Sequence, residues 1–307
     1  MGSLHRKMKK AFKKPSLLLD HIIERYFSWL PDKIYLSLRF RLRVHYKLNW
    51  KNPRTYNEKL NWLKLYDHKP EYITMADKYD AKKYVTAKIG EQYIIPTIGV
   101  WDKAEDIEWD KLPNQFVLKC NHDSGGLVIC KDKTSLDKEA AIKKLSKCLK
   151  CNYYKVEREW PYKDMRRRII AEEYVEPKCG NKDLPDYKFF CFDGKVAFMF
   201  IGTERQTPGE EVKFDFFDSD FNILPVRQGH DHAKMTPSKP TCFEEMKQAA
   251  ETLSKGLPHV RVDFYEVDGK VLFGELTLYH FGGLVPFEPK EWDERFGELL
   301  VLPSLSV

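Results

Sequence analysis

The sequence predicts an α+β chain, with a helical amino-terminal region followed by long hairpins. Three observations carry this reading. Residues 17–89 are patterned as helices. Two Asp-Gly pairs, Asp193-Gly194 and Asp268-Gly269, sit between strand-like runs, a strong hairpin signal. The later helical stretches fall between hairpins instead of alternating strand by strand, which argues against a doubly wound βαβ series.

Taken in order, Thr55-Tyr-Asn-Glu58 has the form of a capping box opening a helix over Glu58–Tyr66. A second helical pattern runs from Asp77 to Ile89 and ends near Gly90. Tyr93-Ile-Ile-Pro96 and Gly99-Val-Trp101 read as short strand-like pieces. Phe116–Lys119 is a strand that runs through Cys-Asn-His-Asp-Ser-Gly-Gly into Leu127–Cys130. The glycine tip of that hairpin can lie over phosphates through backbone N–H groups. A helix is expected over 137–150, a strand over Ile169–Val175, and a hairpin over Lys188–Ile201. A strand at Lys213–Phe217 and a helix at Phe243–Ser254 lead to the last hairpin, Arg261–Leu278. There is no internal repeat or low-complexity linker.

The last hairpin is the most informative stretch. Arg261, Asp263 and Tyr265 alternate with Val262 and Phe264 and so share a face. Strict alternation places Phe273, Glu275 and Thr277 on one face of the second strand, with Gly274, Leu276 and Leu278 on the other. Asp263 and Glu275 then meet across neighbouring strands beside Arg261. Two carboxylates one strand spacing apart suit Mg²⁺ shared with substrate phosphates. They equally suit a salt-bridged hairpin, and spacing alone leaves both open.

Composition narrows the class. A chain of 307 residues with 42% hydrophobic and 32% charged residues is long enough for two or three small lobes with real cores. Seven cysteines without a scaffold pattern favour a reducing, cytoplasmic setting. Cys148-Leu-Lys-Cys151 is a lone pair with no second pair at zinc spacing, and reads as structural. His230-Asp-His232 reads as polar surface. Arg166-Arg-Arg168 reads as a solvated face or as a grip on an acidic polymer. His122, beside the glycine loop, is a candidate contact to phosphate or substrate.

The net charge of +6 is uneven. Residues 1–64 carry 16 Lys and Arg against 4 acids, a net +12, which leaves −6 for the remainder. A cationic arm, His5–Lys14, precedes the apolar pattern Leu17, Leu18, Ile22, Ile23, Tyr26, Phe27, Leu30. Residues 1–30 can therefore lie on an anionic membrane surface, or the helix can dock on its own fold. Asp20, Glu24 and Arg25 interrupt the apolar stretch, unlike a signal peptide. No run approaches the ~20 apolar residues of a spanning helix. The acidic bulk of the chain argues against nucleic acid as a partner.

From about residue 33 onward these segments together resemble the TupA-like branch of the ATP-grasp superfamily, linked to teichuronopeptide and capsular polysaccharide biosynthesis. Asn52-Pro-Arg-Thr-Tyr-Asn-Glu-Lys-Leu-Asn-Trp-Leu-Lys64 resembles the amino-terminal signature of that branch. Met75–Lys82 looks like its lysine-bearing segment, Phe116–Lys119 with the glycine loop like its lid, and Glu172–Val175 like its adenine hinge. Arg261-Val-Asp263, followed by Gly274-Glu-Leu-Thr277, is similar to the metal-binding pair of the D-alanine ligase group.

The resemblance implies an ATP-grasp fold, two α+β lobes clasping ATP. The expected divisions are a basic helical region at 1–90, a lid lobe at 91–174, and a metal-bearing lobe at 175–307. It implies a ligase that phosphorylates a carboxylate from ATP and then passes the acyl group to an amine, with Mg²⁺ and lysines screening the anions. Lys78 and Lys119 would contact phosphates, and Ser124, Gly125 and Gly126 would form the lid loop. Glu172 would face the adenine amino group, with Glu173, Tyr174 and Val175 along the adenine edge. Asp186 and Lys188 would meet ribose or phosphate. Asp263, Glu275 and Thr277 would form the metal site, although many relatives carry asparagine where Thr277 stands. Arg261, with Lys119 the expected catalytic residue, would stabilise the acyl phosphate, and Gly282 and Gly283 would add N–H donors. The branch implies a uronic-acid saccharide, nucleotide- or lipid-linked, and an amino acid or amine as substrates. The rival expectations are a glycosyltransferase or carbohydrate kinase of the same pathway, or a non-catalytic binding protein. A second departure from relatives is the helical character of residues 1–90, where an α/β lobe is usual.

Overall fold

The computed structural model describes residues 15–123, 125–176, 184–204 and 211–304. Ser124 and the cationic arm at 5–14 lie outside the described residues.

Five helices open the chain: α1 (Pro15–Tyr26), α2 (Asp32–Val44), α3 (Tyr56–Tyr66), α4 (Glu71–Ala76) and α5 (Asp80–Ile89). The capping box at the start of α3 is formed as its sequence predicts. The Thr55 hydroxyl accepts from the Glu58 N–H at 3.1 Å, and the Glu58 carboxylate accepts from the Thr55 N–H at 3.2 Å.

Two antiparallel sheets follow. The smaller contains β1 (Thr97–Trp101), β2 (Phe116–Cys120), β3 (Leu127–Cys130) and β4 (Ile169–Glu173), in the order β1-β4-β2-β3. Helix α6 (Lys138–Leu149) packs on it, and the short α7 (Tyr153–Glu157) leads back towards β4. The larger sheet has the order β10-β9-β5-β6-β7-β8. Its strands are β5 (Asp186–Phe192), β6 (Lys195–Thr203), β7 (Lys213–Asp218), β8 (Ile223–Leu224), β9 (Val260–Val267) and β10 (Lys270–Thr277). Helix α8 (Phe243–Ser254) packs against β5, β6 and β9, and α9 (Glu291–Leu299) lies against α3. Both Asp-Gly pairs make hairpin turns with positive φ at both residues, 43° and 79° at Asp193-Gly194 and 52° and 72° at Asp268-Gly269. That is the geometry of a type I′ turn.

The amino-terminal helices do not form a lobe of their own. Tyr56, Leu60, Leu63, Met75 and Val85 share one core with Phe189, Phe190, Phe198 and Val262 of the large sheet. The small sheet has a separate core built on Phe116, Leu118, Leu145, Ile169 and Ala171. No helix among the described residues is long and apolar enough to cross a membrane.

Two local expectations are corrected. Tyr93–Pro96 is not a strand; a 3₁₀ turn occupies Glu91–Tyr93. Pro96 offers no N–H to a ladder, and only its carbonyl reaches the sheet, accepting from the Glu173 N–H at 3.2 Å. In β10 the alternation breaks. The pairing with β9 slips between Phe273 and Glu275, so Phe273 lies opposite Phe264 and Glu275 opposite Asp263. Gly274 is the extra residue of a β-bulge, and Phe273 turns into the core while Glu275 and Thr277 keep the other face.

Candidate active site

The two sheets face each other across a cleft of about 360 Å³. Val117, Lys119, Ile129 and Glu172 line it from the small sheet, with the connecting residues Glu173, Tyr174 and Val175. Asp186, Lys188, Asp263, Gly274 and Glu275 line it from the large sheet, and Lys78 enters from the helical region. A mostly apolar wall carrying a few convergent charges is the usual form of a small-molecule site.

On the small-sheet side, the period of two sends Phe116, Leu118 and Cys120 into the core and leaves Val117 and Lys119 towards the cleft. Glu172, opposite Val117 on β4, is 3% exposed. Its carboxylate lies 2.5 Å from Lys119 Nζ and 2.6 Å from Lys82 Nζ. Burial raises the Glu172 pKa, but the two lysines outweigh it and hold the carboxyl below its ordinary value. Lys82 also donates to the Ile95 carbonyl and to Thr97 Oγ1, each at 2.7 Å. Sequence reasoning assigned Lys82 no role. The available signal was its place one helical turn beyond Lys78.

The glycine loop is pinned by Asp123, whose Oδ1 accepts from the Gly125 N–H at 2.6 Å and from the Tyr153 hydroxyl. Gly126 borders the cleft with its backbone against two thiols. A Cβ there would come within 3.0 Å of both Cys120 Sγ and Cys148 Cβ. Burial pushes the Cys148 thiol up to about 11, with Asp123 adding to it, and raises Cys151 as well. Both thiols are therefore held in the protonated form. His122 departs from its expected place. It is buried beneath the loop, edge-on to Tyr153 at 5.9 Å, and does not line the cleft. Burial, reinforced by Arg167, pushes its pKa down.

On the large-sheet side, Asp263 and Glu275 stand opposite each other in register, as do Arg261 and Thr277. Arg261 donates from Nε and Nη2 to the two Asp263 oxygens, each at 2.7 Å, and from Nη2 to Glu275 at 2.9 Å. Its Nη1 donates to His280 Nδ1 at 2.7 Å, which leaves His280 neutral, with Nε2–H directed to Gln228 Oε1 at 2.9 Å. Burial and then the Arg261 charge push the His280 pKa well down, consistent with that tautomer. Lys188 bonds Asp263 and lies 3.4 Å from Asp186. Lys78 Nζ is 3.4 Å from Glu275, and the Thr277 hydroxyl donates to Glu275 at 3.2 Å. Burial would raise the Glu275 carboxyl, but Lys78, Arg261 and Lys188 outweigh it and hold it far below the ordinary range.

Among the described residues no group of three or more His, Cys, Asp or Glu is arranged to hold a metal unaided. The Asp263–Glu275 pair fits a divalent ion that takes one or two carboxylates from protein and the rest of its shell from phosphate and water. Gly282 and Gly283 lie elsewhere than expected. The Gly282 N–H donates to the Tyr279 carbonyl at 2.8 Å, and the Gly283 carbonyl accepts from Asn61 on α3 at 2.9 Å. They join the large-sheet unit to α3 and do not line the cleft.

A family model described as TupA-like ATPgrasp matches residues 58–301. The chain belongs to the TupA-like ATP-grasp family. Its two sheets, facing each other over one cleft, are the two halves of an ATP-grasp fold. Solved structures similar to this TupA-like protein include D-alanine–D-alanine ligase from Bacillus anthracis complexed with ATP, at 18% identity and TM-score 0.39, covering 67% of this chain and 54% of that one. Another is the ATP-grasp ligase PsnB complexed with a phosphomimetic variant of its minimal precursor, Mg and ADP, at 11% identity and TM-score 0.43, covering 79% of this chain and 64% of that one. A third is N5-carboxyaminoimidazole ribonucleotide synthetase from Thermus thermophilus, at 12% identity and TM-score 0.38, covering 69% of this chain and 48% of that one. The chain thus spans about half to two thirds of the length of these structural relatives. No curated protein sequence matches it.

Proposed function

We propose that this TupA-like ATP-grasp protein is an ATP-dependent ligase that joins an amine to a carboxylate, the carboxylate being that of a uronic-acid saccharide in surface polysaccharide assembly. The observation that carries the reading is the convergence of Lys78, Lys119 and Lys188 with Asp263 and Glu275 on one cleft. Polyanion-binding cations and metal-class acids together are the equipment of phosphoryl transfer. The saccharide rests on the family branch alone.

The roles follow from position. Val117, Ile129, Tyr174 and Val175 form an apolar slot for a flat base, with the backbone of Glu173–Val175 along its edge. Lys119 and Lys78 screen the phosphates, and Glu172 with Lys82 holds Lys119 in place. Asp263 and Glu275 would hold Mg²⁺, which supplies charge screening between the nucleotide and the carboxylate. The substrate carboxylate oxygen attacks the γ-phosphorus, the bond to the bridging oxygen breaks, and ADP leaves. The free-base amine nitrogen then attacks the acyl carbon, the bond from that carbon to the phosphate oxygen breaks, and inorganic phosphate leaves with the proton that the nitrogen gives up. Arg261, fixed by Asp263, Glu275 and His280, would supply a preorganised positive charge for the acyl phosphate.

The experiment is ADP formation from Mg²⁺-ATP, with and without uronic acids and amino acids. ADP that requires both a carboxylate and an amine supports ligation. ADP with a stable phosphorylated sugar and no amine requirement replaces this reading with a kinase. Turnover of a nucleotide sugar without ATP replaces it with a glycosyltransferase.

A peripheral membrane contact through residues 1–30 is part of the proposal. On α1 the inward face carries Asp20, buried and paired with Arg39 at 2.7 Å. Leu18, Leu19, Ile22 and Tyr26 are left outside, and Trp29 at the α1–α2 turn is 73% exposed. An apolar face next to a basic arm is the pattern of a helix lying on anionic lipid.

A further inference from the structure

The Arg166-Arg-Arg168 triplet has no part in the roles above. Arg166 is exposed and pairs with Asp102 at 2.6 Å, and Arg167 donates to the Leu149 carbonyl at 3.1 Å. Arg168, the residue before β4, turns inward. Its Nη2 donates to Asp77 Oδ2 at 2.7 Å and to Asp80 Oδ2 at 2.6 Å. Its guanidinium lies 4.8 Å from the centre of the Tyr79 ring. Arg168 therefore holds the residues on both sides of Lys78.

Asp77 and Asn121, both almost fully buried, complete the joint. Asp77 closes the turn that carries Lys78, its Oδ1 accepting from the N–H groups of Tyr79 at 2.8 Å and Asp80 at 3.2 Å. Its Oδ2 accepts from Asn121 Nδ2 at 2.6 Å as well as from Arg168. Asn121 directly follows β2 and uses all its polar groups. Its Nδ2 also donates to the Arg166 carbonyl at 2.8 Å, and its Oδ1 accepts from the Arg168 N–H at 2.8 Å. Its backbone N–H donates to the Arg168 carbonyl at 3.0 Å, and its carbonyl accepts from the Lys78 N–H at 3.1 Å. The backbone of Lys78 is thus tied to the base of the β2–β3 hairpin, while its ammonium points across the cleft to Glu275 at 3.4 Å. A lysine is a point charge on a flexible stem, so where its ammonium falls depends on how firmly its backbone is held.

We infer that Arg168 is a positioning residue for Lys78, acting through Asp77 and Asn121 to set the Lys78 ammonium on a bound phosphate. The inference rests on the ligase reading, which gives Lys78 its phosphate. Arg168 does not line the cleft, so its effect on nucleotide passes through the segment it holds. A fully satisfied buried network is rigid, and a misplacement of about 1 Å at a charged contact is costly.

The test is a double-mutant cycle on Mg²⁺-ATP affinity, by equilibrium titration calorimetry on the full chain. Lys78→Met and Arg168→Met are each expected to weaken Mg²⁺-ATP by about tenfold. With Lys78→Met already present, Arg168→Met should add less than about twofold, because the side chain it positions is gone. Arg166→Met, which removes a charge from the same triplet, should bind as the parent does. Losses that multiply in the double variant would overturn the inference, as would equal weakening by Arg166→Met and Arg168→Met. If Arg168→Met does not fold, Arg168→Lys, which keeps the charge on a shorter side chain, takes its place under the same criterion. A second readout needs no nucleotide. Hydrogen exchange at the Lys78 amide should be about tenfold faster or more in the Arg168 variant, since that N–H donates to Asn121. An unchanged rate would also overturn the inference. If the parent does not bind Mg²⁺-ATP, or Lys78→Met binds it equally well, the ligase reading fails instead, and the exchange rate still decides whether Arg168 holds Lys78.

Discussion

Lys119 and Glu172 meet on adjacent strands of the small sheet with 2.5 Å between ammonium and carboxylate, and Lys82 holds the other carboxylate oxygen at 2.6 Å. The glutamate is almost fully buried, so the two lysines and the acid stand or fall together. Removing one member of a buried ionic group leaves uncompensated charge, at a cost of about 3–5 kcal/mol. Glu172→Gln is therefore expected to lower the unfolding free energy, measured by urea denaturation, by an amount of that order. Because the folded pKa of Glu172 lies below the ordinary 4.5, its contribution is full above that value and fades as pH falls through the lower folded one. A parent-to-variant difference that does not change between neutral and acid pH would show that the pair is not the source.

Glu275 touches Lys78, Arg261 and Thr277 and sits outside the apolar core. Glu275→Ala should lower ATP turnover by about 100-fold or more, since it removes a carboxylate that would hold the Mg²⁺ screening the transferring phosphoryl group. The far-ultraviolet circular dichroism should be unchanged. Turnover close to the parent would take Glu275 out of the reaction.

Asp293, on α9, accepts from the Asn57 N–H at 2.9 Å and from Asn57 Nδ2 at 3.0 Å. Burial nevertheless pushes its carboxyl up from 3.8 to about 6. Between those values the folded state holds a proton that the unfolded chain has lost. Stability from this group is therefore present at low pH and declines as pH rises through that window. At about 1.4 kcal/mol for each pH unit of that window, the decline is at most a few kcal/mol. Asp293→Asn should flatten that limb of the pH–stability curve, and an unaltered slope would assign it to another group.

Ile22 lies on the outward face of α1 with Leu18 and Tyr26 one turn to either side. Ile22→Glu should weaken binding to vesicles containing phosphatidylserine, measured by co-sedimentation, while leaving Mg²⁺-ATP affinity unchanged. Undiminished sedimentation would remove the membrane contact from the proposed function.

Much of the architecture was legible from local rules. Thr55 and Glu58 announced a helix start, the Asp-Gly turns fixed two hairpins, and the residues of β9 alternate cleanly. That alternation also placed Arg261, Asp263 and Tyr265 on one face. It failed at Phe273 because a bulge is a property of the pair of strands, and a single strand's pattern does not contain it. The cleft-lining lysines and acids could be picked out because charge among apolar strand residues is conspicuous. His122 and the Gly282-Gly283 pair were misplaced for a related reason. Proximity in sequence to a functional loop does not say which way a side chain or N–H turns. Lys82 and His280 escaped notice since their partners Glu172, Arg261 and Gln228 lie on other segments of the chain.

The pairings inside the cleft have a further consequence. Lys119 leans on Glu172, Lys78 on Glu275, and Lys188 on Asp263. A phosphate that engages one of these lysines must do so by exchange, and the carboxylate it displaces is left seeking positive charge. Nucleotide and divalent ion are thus expected to enter as a charge-matched couple, each restoring the balance that the other upsets. Either one alone should bind weakly.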